Sequence, residues 1–112
     1  STKEAEINCS IMAAEQANKF LKDGEIINSV NFPRVRLGRT TENRLVIVHK
    51  DQPGVLGRIT AEIAAENINI ADMINKSRNE IAITLIDLGE EPSKDLIENI
   101  KEMKRVFSIR KC

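Results

Sequence analysis

Four consecutive aliphatic residues, Leu45-Val46-Ile47-Val48, run into a polar turn, His49-Lys50-Asp51-Gln52-Pro53-Gly54, and a helical pattern begins at Val55. A run this short, stopped by a Pro-Gly pair, reads as a strand over Arg44 to His49. The helix that follows, Val55 to Glu66, points Leu56, Ile59, Ile63 and Ala64 inward. Pro53 lies near its first turn, where a missing N–H costs little. Strand two spans Asn69 to Ser77, and Arg78-Asn79 supplies a tight turn because Asn tolerates positive φ. Strand three spans Glu80 to Leu88. Glu90-Glu91-Pro92 is a turn, and Ser93 caps a second helix, Lys94 to Met103, with Leu96, Ile97 and Ile100 on its apolar face. Strand four is Val106 to Arg110. This βαββαβ order predicts an α+β, ferredoxin-like domain: a four-stranded antiparallel sheet with two helices on one face.

Strands one and three are apolar on both faces, whereas a two-layer monomer needs only one apolar face. The far face or an edge therefore needs a cover, either a long N-terminal helix or a second copy. That helix is expected over residues 1–23, where Ala5, Cys9, Met12, Gln16 and Phe20 recur at helical spacing and Asp23-Gly24 gives a stop. Residues 25–43 read as a connector. The expected domains are residues 1–42, helix and linker, and 43–112, the βαββαβ unit.

Composition excludes several function classes. Lys+Arg and Asp+Glu are both 17 in 112 residues, so there is no basic face for nucleic acid. The aromatics are Phe20, Phe32 and Phe107, too few for a base-stacking sheet. Two cysteines, Cys9 and Cys112, set no disulfide framework and fit a reducing compartment, hence a cytoplasmic location. One histidine and no Cys-x-x-Cys leave no usual metal site. No apolar run approaches the ~20 residues of a membrane span. A copper-carrier site would need cysteines in the first turn. An acylphosphatase-type site would need a glycine-rich phosphate loop before Arg58, and none precedes it.

The chemistry that remains is at the first turn. The N–H groups of Gly54, Val55 and Leu56 suit a carboxylate, with the helix dipole adding ~0.3–1 kcal/mol. The Asp51 carboxylate, or the amide oxygens of Gln52 and Asn69, suit an ammonium, and Gly54 lets a ligand approach the backbone. Singly, each residue has a plainer role: His49 ending a strand with its ring in solvent, Asp51 capping the helix, Asn69 closing a turn, Pro53-Gly54 bending the chain. Together they mark a candidate amino-acid site.

Arg44-Leu-Val-Ile-Val-His-Lys-Asp-Gln-Pro-Gly-Val-Leu56, followed by Ala64-Ala-Glu-Asn-Ile-Asn-Ile70, resembles an ACT domain. Ser1-Thr-Lys-Glu-Ala5, Ala14-Glu-Gln16 and Gly24-Glu-Ile-Ile-Asn-Ser-Val-Asn-Phe-Pro33 resemble the segment preceding that domain in the D-3-phosphoglycerate dehydrogenase family. The resemblance implies a regulatory module that binds L-serine between paired domains and dimerises through sheet edges. His49, Asp51, Gln52, Pro53, Gly54, Val55, Leu56 and Asn69 would surround the effector, with Asn69 reaching in from the neighbouring subunit. It also implies that the NAD cofactor and the catalytic residues belong to parts of the parent enzyme outside this chain, which has no Gly-x-Gly-x-x-Gly unit. The family commonly carries Asn where Asp51 stands. A carboxylate there would pair with a ligand ammonium and repel a carboxylate.

Overall fold

The structure, a computed structural model, describes residues 37–112. The helix expected over 1–23 and most of the connector lie outside the described residues. The elements are β1 (Asn43–Lys50), α1 (Val55–Ala65), β2 (Ile70–Arg78), β3 (Ile81–Leu88), α2 (Lys94–Lys101) and β4 (Val106–Lys111). All strand pairs are antiparallel, in the order β2-β3-β1-β4. This is the expected βαββαβ topology, with element ends shifted by a residue or two, as frayed termini allow.

Local chemistry explains the ends. The Ser93 hydroxyl accepts the Leu96 N–H at 3.0 Å and donates to the Glu66 carboxylate at 2.7 Å, so the α2 cap is also tied to the end of α1. Asn67, at φ 57°, turns the chain out of α1 while its N–H bonds the Ala64 carbonyl at 2.9 Å. The hairpin between β2 and β3 differs from expectation by one residue. Arg78 pairs with Ile81, and the two central residues are Asn79 and Glu80, at φ 53° and 68°. A type I′ two-residue hairpin needs positive φ at both centres. Glu80 therefore belongs to the turn and not to the strand expected from Glu80 to Leu88: it takes a conformation that Glu seldom adopts.

Every residue of β3 is buried, as are Arg44 to His49 of β1. On one face Leu45, Ile47, Ile86 and Leu88 meet Ile59 and Ile63 of α1 and Leu96 and Ile100 of α2. On the other, Val46, Val48, Ile81, Ile83 and Leu85 form a second apolar layer, against which Leu37, Ile74, Phe107 and Cys112 pack. The two-sided pattern of the sequence thus corresponds to two buried faces. Cys112 is disulfide-bonded, contrary to the expectation of unlinked cysteines. Spacing alone does not reveal such a pairing.

A buried ion pair sits in the second layer. Arg44 grips Asp87 on the neighbouring strand through Nε to Oδ1 at 2.7 Å and Nη2 to Oδ2 at 2.9 Å, both side chains fully buried. The Thr40 N–H also donates to Asp87 at 2.8 Å. Burial pushes the Asp87 carboxyl up, but the hydrogen bonds from Arg44 and Thr40, with the charges of Arg44 and Arg39, outweigh it and hold the group below the usual carboxylate range. Breaking one side of such a pair leaves a buried charge uncompensated. Asp87→Ala is expected to cost about 3–5 kcal/mol in urea unfolding, whereas Arg44→Met combined with Asp87→Leu recovers most of that loss. A loss under about 1 kcal/mol in the single variant would show that the pair does not hold this part of the sheet.

Candidate functional site

The β1–α1 turn is exposed from Lys50 to Gly54. It is fixed from both sides. The Lys50 N–H bonds the Arg105 carbonyl ahead of β4 at 2.8 Å, and the Asp51 N–H bonds the Glu80 carbonyl at the β2–β3 hairpin at 2.9 Å. Gly54 is the N-cap of α1, at φ 89°, and no side chain caps the helix. Asp51 is therefore not a cap. The first full helical bond is Arg58 N–H to Gly54 carbonyl at 3.0 Å, which leaves the N–H groups of Leu56 and Gly57 ahead of the helical ladder. Added bulk at Gly54 would meet no atom within 4 Å, so the glycine is needed for its backbone angle and not for room.

Two cavities flank this turn. One of about 510 Å³ lies between Pro53, Gly54, Val55 and Arg58 on one side and Lys104 and Arg105 on the other. The second, about 230 Å³, is lined by Lys50, Asp51, Gln52 and Glu80 over a floor of Ile81 and Phe107. A bulge in β4 creates that floor: Val106 pairs with His49 and Ser108 with Val48, so Phe107 is the extra residue. Glu102 also borders the first cavity beside Arg58, Lys104 and Arg105, and Lys50 borders the second beside Asp51 and Glu80, so groups of both charge signs line each cavity.

His49 is not in solvent. It is 2% exposed and faces the helices, with Nδ1 2.9 Å from the Lys50 carbonyl oxygen and Nε2 2.8 Å from Thr84 Oγ1. Desolvation by burial lowers its pKa below 6.5, against the opposing effects of the Lys50 carbonyl and the Asp51 charge. A ligand at the turn reaches the ring only by displacing one of these two partners. Leu56 is half-buried in the first turn of α1.

Asn69 is not brought together with the others. His49 stands opposite Ala82 of β3, while Ile70, next to Asn69, stands opposite Leu88. Six residues of strand, at roughly 3.3 Å each, separate the two ends by about 20 Å. Asn69 is exposed, and its carbonyl accepts the Gly89 N–H at 2.8 Å. Thr84 and Asn75, which are bonded to each other, join His49 through strand register and not through any sequence spacing. Thr84 did leave a signal: together with Asp87 it is a polar interruption in an otherwise aliphatic β3. Among the described residues no group of His, Cys, Asp or Glu is arranged to hold a metal, and no helix is long and apolar enough to cross a membrane.

A family model for the ACT domain matches residues 43–105. D-3-phosphoglycerate dehydrogenase 1 of Saccharomyces cerevisiae is 31% identical over 118 residues, covering 98% of this chain and 25% of its own length. The D-3-phosphoglycerate dehydrogenase of Escherichia coli (strain K12) is 30% identical over 107 residues, covering 95% of this chain and 26% of its own length. The chain thus spans about a quarter of these relatives. Among solved structures, the ACT domain from GTP pyrophosphokinase of Chlorobium tepidum superposes with a TM-score of 0.53 at 19% identity, covering 62% of this chain and 95% of that one, which supports the fold.

Because the fold lowers the His49 pKa, the unfolded chain binds more protons between pH 6.5 and that lower value. Stability contributed by His49 is therefore complete above pH 6.5, falls as pH drops through the folded pKa, and levels off below it. Melting temperatures measured across this window should fall with pH, and His49→Gln should remove that part of the slope. Equal slopes for the two proteins would place the ring in solvent. Gly54→Ala should lower stability by about 1–2 kcal/mol, measured by urea unfolding, because a Cβ is strained at this φ.

Proposed function

The chain belongs to the ACT-domain family, and on that premise we propose that it is an amino-acid-sensing regulatory domain whose effector is L-serine, serving feedback control of a D-3-phosphoglycerate dehydrogenase in serine biosynthesis. The observation that carries this reading is the β1–α1 turn: an exposed helix start without a side-chain cap, opened by Gly54, with Arg58, Glu102, Lys104 and Arg105 around one adjoining cavity and Lys50, Asp51 and Glu80 around the other. A zwitterion needs both kinds of group within a few ångströms. Relatives named D-3-phosphoglycerate dehydrogenase, aligning over nearly the whole chain, support the parent enzyme and hence serine as the end product sensed. NAD binding and catalysis would belong to the rest of that enzyme.

The separation of Asn69 from the turn supports a site shared between two copies. In a pair joined side by side through sheet edges, Asn69 of one subunit would complete the turn site of the other. An effector held by both subunits stabilises the pair by linkage, by about 2.7 kcal/mol per site at 100 times its dissociation constant. That rigid pairing would bias the opening of attached catalytic domains.

A second reading is an ACT-type dimerisation module with no effector. It is favoured by one observation: both ring nitrogens of His49 already have partners inside the fold. Calorimetric titration with L-serine and a panel of other amino acids separates the two. The effector reading expects heat and a raised melting temperature with serine; no heat with any amino acid from a ligand-indifferent dimer would establish the second. Asp51→Asn should retain the melting temperature of the unliganded domain and change the ranking of amino acids in the same titration. An unchanged ranking would remove Asp51 from the ammonium-binding role.

A further inference from the structure

His49, Thr84 and Asn75 form a hydrogen-bonded chain across three strands. His49 Nε2 lies 2.8 Å from Thr84 Oγ1, and the Thr84 hydroxyl donates to Asn75 Oδ1 at 2.7 Å. His49 and Thr84 are buried, while Asn75 is exposed on the edge strand β2. The chain therefore leads from beneath the β1–α1 turn to the edge of the sheet.

Donor and acceptor counts restrict what this chain can be. A carbonyl only accepts, so Nδ1, facing the Lys50 oxygen, carries a proton. If Thr84 donates to Asn75, its oxygen accepts from Nε2–H, and the ring carries both protons. If the ring is neutral, Nε2 is an acceptor. Thr84 then donates to it, and Asn75 must turn its NH2 inward to donate to Thr84. The two ends of an amide have nearly the same shape, so both arrangements fit one backbone.

We propose that His49, Thr84 and Asn75 are a two-state polarity relay, in which Thr84 and Asn75 are positioning residues that hold the ring with its Nδ1 proton on the Lys50 carbonyl. With a neutral ring, Asn75 presents its carbonyl outward from the β2 edge; with a charged ring, it presents its NH2. The protonation state of a buried group at the turn is thereby displayed where a neighbouring chain or strand would meet the sheet. The relay is a property of this fold alone. Its use in effector sensing rests on the reading of the turn as an effector site.

The surroundings of His49 are compatible with both states. Its strand neighbours, Ala82 on β3 and Val106 on β4, are uncharged. The charged groups around this end of the sheet are Lys50 and Asp51 in its own segment, Glu80 before β3, Arg58 on α1, and Glu102, Lys104 and Arg105 before β4. Lys76 and Arg78 lie on β2. Asp51 favours the proton, and burial opposes it more strongly, so the neutral arrangement is the one expected near neutral pH.

His49 is the only histidine, so nitrogen-15 correlation spectra of the full chain read its ring directly. Well above pH 6.5 the neutral ring should carry its proton on Nδ1, with Nε2 unprotonated. Asn75→Asp offers only acceptors, which forces Thr84 to donate outward and favours the doubly protonated ring. The His49 pKa should then rise by about one unit or more, a tenfold change in proton affinity. Ser77→Asp places the same charge on the β2 residue paired with Ala82, in the row of His49 itself but off the relay, and should shift the pKa less. Asn75→Leu should keep the Nδ1 proton. A neutral ring protonated on Nε2 would overturn the relay. So would equal shifts in Asn75→Asp and Ser77→Asp, since charge alone would then account for them. Adding L-serine to the same samples separates the two claims: a ring that behaves as stated but does not respond to serine upholds the relay and defeats the effector reading.

Discussion

The pairing of β1 with β3 is the constraint on which the rest of the domain depends. Both strands are buried on both faces, so a register slip of one residue would exchange their two sets of side chains between layers. Polar pairs mark the two ends of the ladder. At one end Arg44 holds Asp87; at the other His49 reaches diagonally to Thr84. Between them every β1 residue is aliphatic, and Thr84 is the one polar residue opposite. The helices pack on one side of this pair and the edge strands flank it, so the β1–α1 turn is placed by the ladder that precedes it. Its backbone bonds to Arg105 and Glu80 then join it to the other two connections at that end of the sheet.

Most of the fold was legible because its signals are local. The Leu45–Val48 run, the two-sided apolar run of β3, the Ser93 cap and the Pro53-Gly54 bend each declare an element within a few residues. The hairpin was misplaced by one residue because Glu80 takes a positive φ that nothing in its chemistry announces. The burial of His49 is not announced by its neighbours in sequence. A lone histidine at a strand end suggests a ring in solvent; here Thr84, 35 residues on, gives it a buried partner. Asn75 joins through the same register. Such pairings follow from strand register, which sequence spacing does not supply.

The candidate site was legible in part. Asp51, Gln52, Pro53, Gly54 and Val55 do line cavities, but on two sides of the turn, and Gly54 is required by its backbone angle. Asn69 is a strand's length away. If Asn69 contacts a ligand held at the turn, it does so from another copy of the chain, and the site is then a property of the pair. This view gives the apolar and polar features distinct roles: the sheet sets the position of each half-site, and pairing sets their distance.

Mixed pairing tests this shared site most directly. Chains carrying Asn69→Ala and chains carrying Asp51→Ala are each titrated with L-serine alone, then unfolded together, refolded and titrated as a mixture. In a mixed pair, one site carries both changes and the other carries neither. The account predicts no serine binding by either variant alone and recovery of wild-type affinity at one site in each mixed pair. Mixed pairs that form but bind no serine would contradict it.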